Sequence, residues 1–437
     1  MQRLCPQGRC WRAGCKEVTG DSWHPVIECH RLSEMLTFEE ARGKIIEEVG
    51  KRTGPRATAS LSVWDALGLV LAQEVKTDRE YPPFNRSTRD GYAVRSNEAL
   101  PGAQLNCVGE IKAGDTVRDT LPAGTCLQIM TGAAIPADAD AVVMIEHSSR
   151  DGDIVRFERA AQQGQNIVPR GSEAAAAQTI LTPGMRLGYA ELALAAQVGA
   201  VQLQCAQRPR VAILSTGDEI VLIDETPGPF QIRNSNSVSL AAQIRLAGGE
   251  PVVLGNAADR MDDLGEKIER GLKEDVLVLS GGVSMGKYDL VENVLKAMGA
   301  EFFFDAVAIR PGKPAVFGVC QGKPVFGLPG NPVSTMVTFE LFVAPAIDLL
   351  SGAEARALPL VEARLAEAMK EKPGLAHFLP ARVDWHDRVP EVKALRWQGS
   401  GDIAALAKAN CFLVVPADRE TIEVGERVSI LLRKDVV

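Results

Sequence analysis

No stretch of the sequence reaches the ~18 uninterrupted apolar residues that a membrane-spanning helix requires. Even the Ala-rich run from Ala190 to Ala200 is broken by Glu191 and Gln197, so membrane insertion is not expected. The N-terminus carries Arg3 and Arg9 but has no apolar core and no small-residue cleavage site of a signal peptide, and a cytoplasmic location is expected. Positive charge is not in excess: the formal net charge is -8. That balance argues against a nucleic-acid surface, whose affinity comes from Lys and Arg neutralising phosphates. Any anionic ligand must meet a local basic or N–H-rich site. Histidine is scarce, with only five in 437 residues, which leaves few candidates for a general base. Cysteine is clustered: Cys5, Cys10, Cys15 and Cys29 fall in the first thirty residues beside His24 and His30. Their spacing fits no zinc pattern, and residues 1–31 are read as a Cys-rich extension.

What is present is apolar material for several cores, since 46% of the residues are hydrophobic and the length suits about three domains. LTFEEARGKIIEEVGKR, Leu36 to Arg52, repeats apolar positions at helical spacing, and SLSVWDALGLVLAQEV reads as a second helical piece running into a strand. From Tyr81 the texture becomes short strands punctuated by Gly and Pro, in GYAVRS, LNCVGEI, CLQIMTG and AVVMIEH. A further helix, YAELALAAQVGA, returns the chain to the first module, which makes the β-rich segment an insertion. Residues 208–352 alternate strand and helix, the βαβ pattern of a mostly parallel sheet, and 353–437 return to strands. The expected architecture is therefore multidomain α/β plus β. It comprises a discontinuous linker (32–81 and 158–207), an inserted small β-domain (82–157), an α/β domain (208–352) and a barrel-like C-terminal β-domain (353–437).

The chemistry is expected at the carboxyl ends of the α/β strands, where ligands of such sheets bind. TGDE follows RVAILS, SGGVSMGKYD follows VLVL, RPGKP follows FFFDAVAI, and LPGNP follows KPVFG. In SGGVSMGKYD, Ser280, Gly281, Gly282 and Ser284 stand between a strand and a helix, where backbone N–H groups can cradle a phosphate. The same stretch nearly matches a nucleotide P-loop, but Tyr288 stands where a metal-binding Ser or Thr belongs. It also satisfies GxSxG, which as a hydrolase elbow would need His377 or His386 from what reads as a separate domain. Glu219 and Asp289 both follow strands of one sheet and could converge on Mg²⁺ beside a phosphate. Asp218 is as readily a turn residue, and Asp259 as readily a helix N-cap. Arg310 and Lys313 offer two cations on a turn stiffened by Pro311, suited to an oxyanion or equally to solvent. Pro329, Gly330, Asn331 and Pro332 open a long helix whose first N–H groups could face an anion. Outside the sheet, PPFNRSTRDGYAV holds Asn85, Arg86 and Ser87 before Asp90, more than a hairpin turn alone requires.

Taken together, PPFNRSTRDGYAV, IMTGAAIPADADAVVMIEH, STGDEI, SGGVSMGKYD, IRPGKP and GLPGNPVS stand in the order seen in the molybdopterin molybdenumtransferase family. The related C-terminal domain of gephyrin shares that order. The resemblance runs from about Leu32 to the C-terminus, including the late QGSGDIAALAKAN. It implies an L-shaped homodimer whose cleft lies between the α/β domain of one subunit and the small β-domain of the other, so that Asp90 and Thr131 act across the dimer. It further implies that Glu219, Asp259 and Asp289 form an acidic, Mg²⁺-binding set. Arg310, Lys313 and the LPGNP prolines would line the pterin and molybdate side. The implied reaction opens adenylylated molybdopterin, places molybdate on its dithiolene and releases AMP. Two departures stand out: Arg170-Gly171-Ser172-Glu173 replaces the common Arg-Gly-Glu-Asp, and Arg310 replaces a frequent Lys. Both keep the formal charge, with Glu173 one methylene longer than Asp. The resemblance leaves as alternatives the preceding adenylylation step, whose enzyme would be the upstream partner, and a gephyrin-like peptide scaffold.

Overall fold

The computed structural model describes residues 35–116, 120–282, 290–386 and 389–436. Its centre is a six-stranded sheet in the order Glu250–Ala257, Arg210–Thr216, Val276–Ser280, Lys323–Leu328, Val316–Cys320 and Glu301–Phe304. The first four strands are parallel and the last two are added antiparallel. Because successive strand residues point to opposite faces, the continuous apolar runs divide between two cores. Val211, Ile213, Val276 and Val278 join one, Ala212, Leu214, Leu277 and Leu279 the other. The second core is covered by the helices Met261–Gly271 and Leu290–Ala297.

The first core is closed by helices Ser235–Ala247 and Phe38–Gly50 and by the 19-residue helical run Pro332–Leu350. That last run is long and apolar enough to cross a membrane, yet most of it is buried inside the protein, which accounts for its composition. Within it, Phe339–Val343 widens into a π-turn just before Pro345. Proline has no N–H to give the carbonyl four residues back, and that carbonyl, Leu341, instead accepts a 2.9 Å bond from Arg42 of the first helix. The first helix thus lies against the α/β unit through Phe38, Ala41, Ile45 and Val49, not against the linker it was expected to open.

The second expected helix does not form. Thr58–Ser62 is a strand paired antiparallel with Gln202–Ala206, followed only by a short 3-10 turn at Val63–Asp65. Strand pairing with a distant segment overrides the local apolar spacing. Two further pairs, Val75–Lys76 with Thr179–Leu181 and Arg86–Ser87 with Ile167–Val168, continue this ladder outward. At its end sits a six-stranded sheet ordered Ala141–Met144, Gly91–Val94, Thr125–Ile129, Gln104–Ile111, Ile154–Phe157 and Ser148–Asp151. The C-terminal region closes on itself: Ala376–His386 pairs with both Val389–Ala394 and Cys411–Val415, and Leu360–Leu365 and Arg427–Leu432 complete a five-stranded barrel.

Candidate active site

The carboxyl ends of the four parallel strands line one cleft of about 470 Å³. Thr216 ends the first of these strands in sequence, and Gly217 and Glu219 follow it. Asp259 follows the next, Ser280 ends the third with Gly281 and Gly282 after it, and Pro329, Gly330, Asn331 and Pro332 follow the fourth. The sheet therefore brings nine of the expected site residues together at one edge. Gly281 and Gly282 turn the chain with φ of +89° and +64°. A Cβ on Gly282 would stand 2.5 Å from Thr216 Oγ1 and 2.9 Å from Val291 Cγ2, so only glycine permits this approach. Gly282→Ala should therefore cost roughly 2–4 kcal/mol through the left-handed backbone and overpacking, and lower turnover with it. Thermal melting checks this, and a wild-type melt would contradict it.

The acidic side of the cleft is only partly as expected. Asp259 does not cap the helix behind it. Arg260 holds the N-cap position, and it is Asp263 that accepts the Ala258 N–H at 2.8 Å. Asp218 Oδ1 accepts the Asp259 N–H at 3.2 Å. Burial first, then the neighbouring Asp218 and Glu219 carboxylates, raise the Asp259 pKa above the ordinary aspartate value. Asp289 and Ser284 lie outside the described residues. Among the described residues, no group of three or more His, Cys, Asp or Glu side chains is placed to hold a metal.

The basic side also differs. RPGKP does not follow a strand of the central sheet: Ile309–Arg310 pairs in parallel with Ala376–His377 of the C-terminal sheet, and only Pro314 from this turn lines the cleft. Among the described residues neither Arg310 nor Lys313 has an ion-pair partner. The start of the long helix is less open to an anion than its sequence suggests. Pro332 has no N–H, and the Val333 N–H already donates to Ser400 O at 2.9 Å. Ser400 belongs to the QGSGD turn of the C-terminal region, which thus closes that helix end.

Sequence reasoning missed the segment Arg233–Asn236, which lines the cleft beside Ile220 and Ile232. Its signal was an Asn-Ser-Asn run directly before an apolar helical repeat. Asn234 caps that helix by accepting the Ser237 N–H at 2.9 Å. Asn236 Nδ2 donates at 2.8 Å to both Ser280 Oγ and Gly330 O, joining two strand-end turns.

Asp90, Thr131 and Glu173 are not in this cleft. Asp90 Oδ1 accepts from both the N–H and the hydroxyl of Thr131 at 2.7 Å, 41 residues along the chain. These two bonds hold the Asp90 pKa below the usual aspartate range. Glu173 pairs with Arg86 at 2.7 Å, and Asn85 Oδ1 accepts the Arg170 N–H at 2.8 Å. Asn85 and Arg86 thus strap together the two chains that enter and leave the small β-domain.

Three family models match in this order: the MoeA N-terminal region (domain I and II) over residues 36–199, a probable molybdopterin binding domain over 212–349, and the MoeA C-terminal region (domain IV) over 362–432. A molybdopterin molybdenumtransferase of Nostoc sp. is 32% identical over 93% of this chain and 96% of its own length. The chain belongs to the molybdopterin molybdenumtransferase family. A Haemophilus influenzae molybdopterin molybdenumtransferase is 31% identical over 91% of this chain and 98% of its own. The crystal structure of a molybdopterin biosynthesis MoeA protein from Pyrococcus horikoshii OT3 superposes with a TM-score of 0.75 at 26% identity. It covers 92% of this chain and 100% of that one. As a member of the molybdopterin molybdenumtransferase family, the protein is a transferase of molybdenum cofactor biosynthesis. The cleft lies wholly within the segment, residues 212–349, that matches the probable molybdopterin binding domain.

Proposed function

We propose that the protein opens the phosphoanhydride of adenylylated molybdopterin as molybdate is placed on the dithiolene, releasing AMP, in a Mg²⁺-assisted reaction. The observation that carries this reading is one strand-end cleft combining glycine-built turns with an acidic wall. Turns of this kind present backbone N–H groups to phosphate oxygens without requiring basic side chains. Mg²⁺ keeps several waters and binds through one or two carboxylates when substrate phosphates complete its shell. Glu219 and Asp259 suit that role, and the cost of Asp259 carrying its charge beside Asp218 and Glu219 fits a place for a cation. When bound there, Mg²⁺ would neutralise charge on the anhydride oxygens. Arg310 and Lys313, cations without an acidic partner among the described residues, would guide the incoming oxyanion.

Completion of the site by a second copy is part of the same proposal. Trp64 and Tyr189 are each 88% exposed and Leu67 is 60% exposed, while in the apolar helix Tyr189–Gln197 only Ala195 is buried. Such contiguous apolar surface suits burial in an isologous dimer. Among the described residues Asp90 accepts hydrogen bonds through Oδ1 alone, and Oδ2 would be available to a substrate held by the partner. The reaction is tested by incubating the protein with adenylylated molybdopterin, Mg²⁺ and molybdate and following AMP. Molybdate-dependent AMP release is expected. ATP consumption with formation of adenylylated molybdopterin would instead favour the preceding step.

A further inference from the structure

A second cavity, of about 250 Å³, shares no residue with the strand-end cleft. It lies where the helices Ser235–Ala247 and Pro332–Leu350 meet the C-terminal region. Met336, Glu340 and Ala344 stand four residues apart and so line it from one face of the long helix. Leu246 borders it from the other helix. Phe412 and Leu431, cross-strand partners in the C-terminal sheet, give it an apolar floor. Drug-sized ligands occupy about 300–1,000 Å³, so this cavity suits a smaller molecule.

Four charged side chains line the cavity: Glu340, Arg433, Lys434 and Asp435. Arg433 is fully engaged, pairing with Asp435 at 2.6 Å and donating to Leu406 O at 2.7 Å and Ala409 O at 2.8 Å. One anion and one cation remain. Glu340 Oε1 accepts from Gln243 Nε2 at 2.9 Å, and Gln243 is itself anchored to Met336 O at 3.1 Å. These bonds hold the carboxylate in place, while Glu340 Oε2 accepts no hydrogen bond among the described residues. Lys434 makes neither an ion pair nor a hydrogen bond among the described residues. It keeps a face open to solvent, yet the protein around it removes enough water to lower its pKa, with the Glu340 charge acting in the opposite sense. The two groups thus feel each other's field without pairing. Opposite charges held apart in an apolar setting complement a molecule that carries both charges itself.

We infer that this cavity is a binding site for a free α-amino acid with a branched aliphatic or thioether side chain. The ammonium of the ligand meets Glu340, its carboxylate meets Lys434, and its side chain lies over Leu246, Phe412 and Leu431. A simple carboxylate would leave Glu340 without a counter-charge, and a simple amine would leave Lys434 without one. Glycine would leave the apolar floor uncovered. The site is independent of the reaction proposed for the cleft.

Calorimetric titration of the full-length protein with L-leucine and L-methionine tests this. Glycine, 4-methylpentanoate, which lacks the ammonium, and 3-methylbutylamine, which lacks the carboxylate, serve as comparisons. One leucine or methionine should bind per chain. Each comparison compound should bind at least about tenfold more weakly, the scale of one charged hydrogen bond or one buried apolar side chain. Glu340→Gln and Lys434→Met should each weaken leucine binding by about the same factor. Both variants should melt as wild type, since Gln at 340 can still accept from Gln243 and Lys434 lies open to solvent. Wild-type protein that binds neither amino acid overturns the inference. So does a singly charged analogue that binds as tightly as leucine, or full leucine affinity in either variant. The analogue series uses the wild-type chain, so its outcome does not depend on a variant folding.

Discussion

Asp259→Asn is expected to reduce molybdate-dependent AMP release on the order of 100-fold while leaving thermal stability equal to wild type or slightly raised. The rate loss is the size associated with removing one preorganised electrostatic contact at a reacting centre. The stability effect has the opposite sign for a structural reason. Burial and the adjacent Asp218 and Glu219 carboxylates disfavour ionised Asp259, so an isosteric neutral side chain relieves repulsion. The contact tying this turn to Asp218 uses the Asp259 backbone N–H and survives the substitution. A residue maintained at a cost to the fold is a mark of function. Undiminished AMP release by Asp259→Asn would remove Asp259 from the site, and a large fall in melting temperature would make its role structural.

The opposite pattern is expected at Asp348. Its side chain is 2% exposed and meets Arg186 at 2.9 Å and Arg356 at 2.7 Å. It also accepts the Arg356 backbone N–H at 3.0 Å. Arg186 comes from the linker and donates to Gly68 O at 2.8 Å, so one buried carboxylate ties the linker to the helix under the α/β sheet. Burial, with the charge of Arg356, already lowers the Arg186 pKa. Asp348→Ala leaves two guanidinium groups facing each other without a counter-charge, a loss of about 3–5 kcal/mol. Chemical denaturation should show the first unfolding transition at markedly lower denaturant. A wild-type transition would mean that water or neighbouring groups compensate the arginines fully.

The α/β unit was legible because its signals are local. Runs such as RVAILST and VLVLS are apolar on both faces, which only a sheet covered on both sides requires, and polar clusters directly after them fall at the carboxyl edge by construction. This placed Glu219, Asp259, Ser280, Gly281, Gly282 and the PGNP turn in one cleft. What escaped depends on partners far away in sequence. The Thr58–Ser62 strand exists through pairing with Gln202–Ala206, and Ser400 closes a helix start some 67 residues before it, where Val333 N–H is bound. Ile309–Arg310 pairs with Ala376–His377 of the C-terminal sheet, some 67 residues later in the chain. The Asp90–Thr131 contact spans two separate strands of the small β-domain. Glu173 carries a charge that its ion pair with Arg86 explains without a ligand.

The claim on which the rest depends is that each reacting centre joins the strand-end cleft of one chain to Asp90 of another. Mixing Asp259→Asn protein with Asp90→Ala protein under conditions that exchange subunits tests it most directly. Each variant alone should be nearly inactive. In a hybrid dimer one centre carries both lesions and the other carries neither, so an equal mixture should recover about a quarter of wild-type AMP release. A mixture no more active than its parents would contradict the account, because Asp90 would then serve its own chain or none.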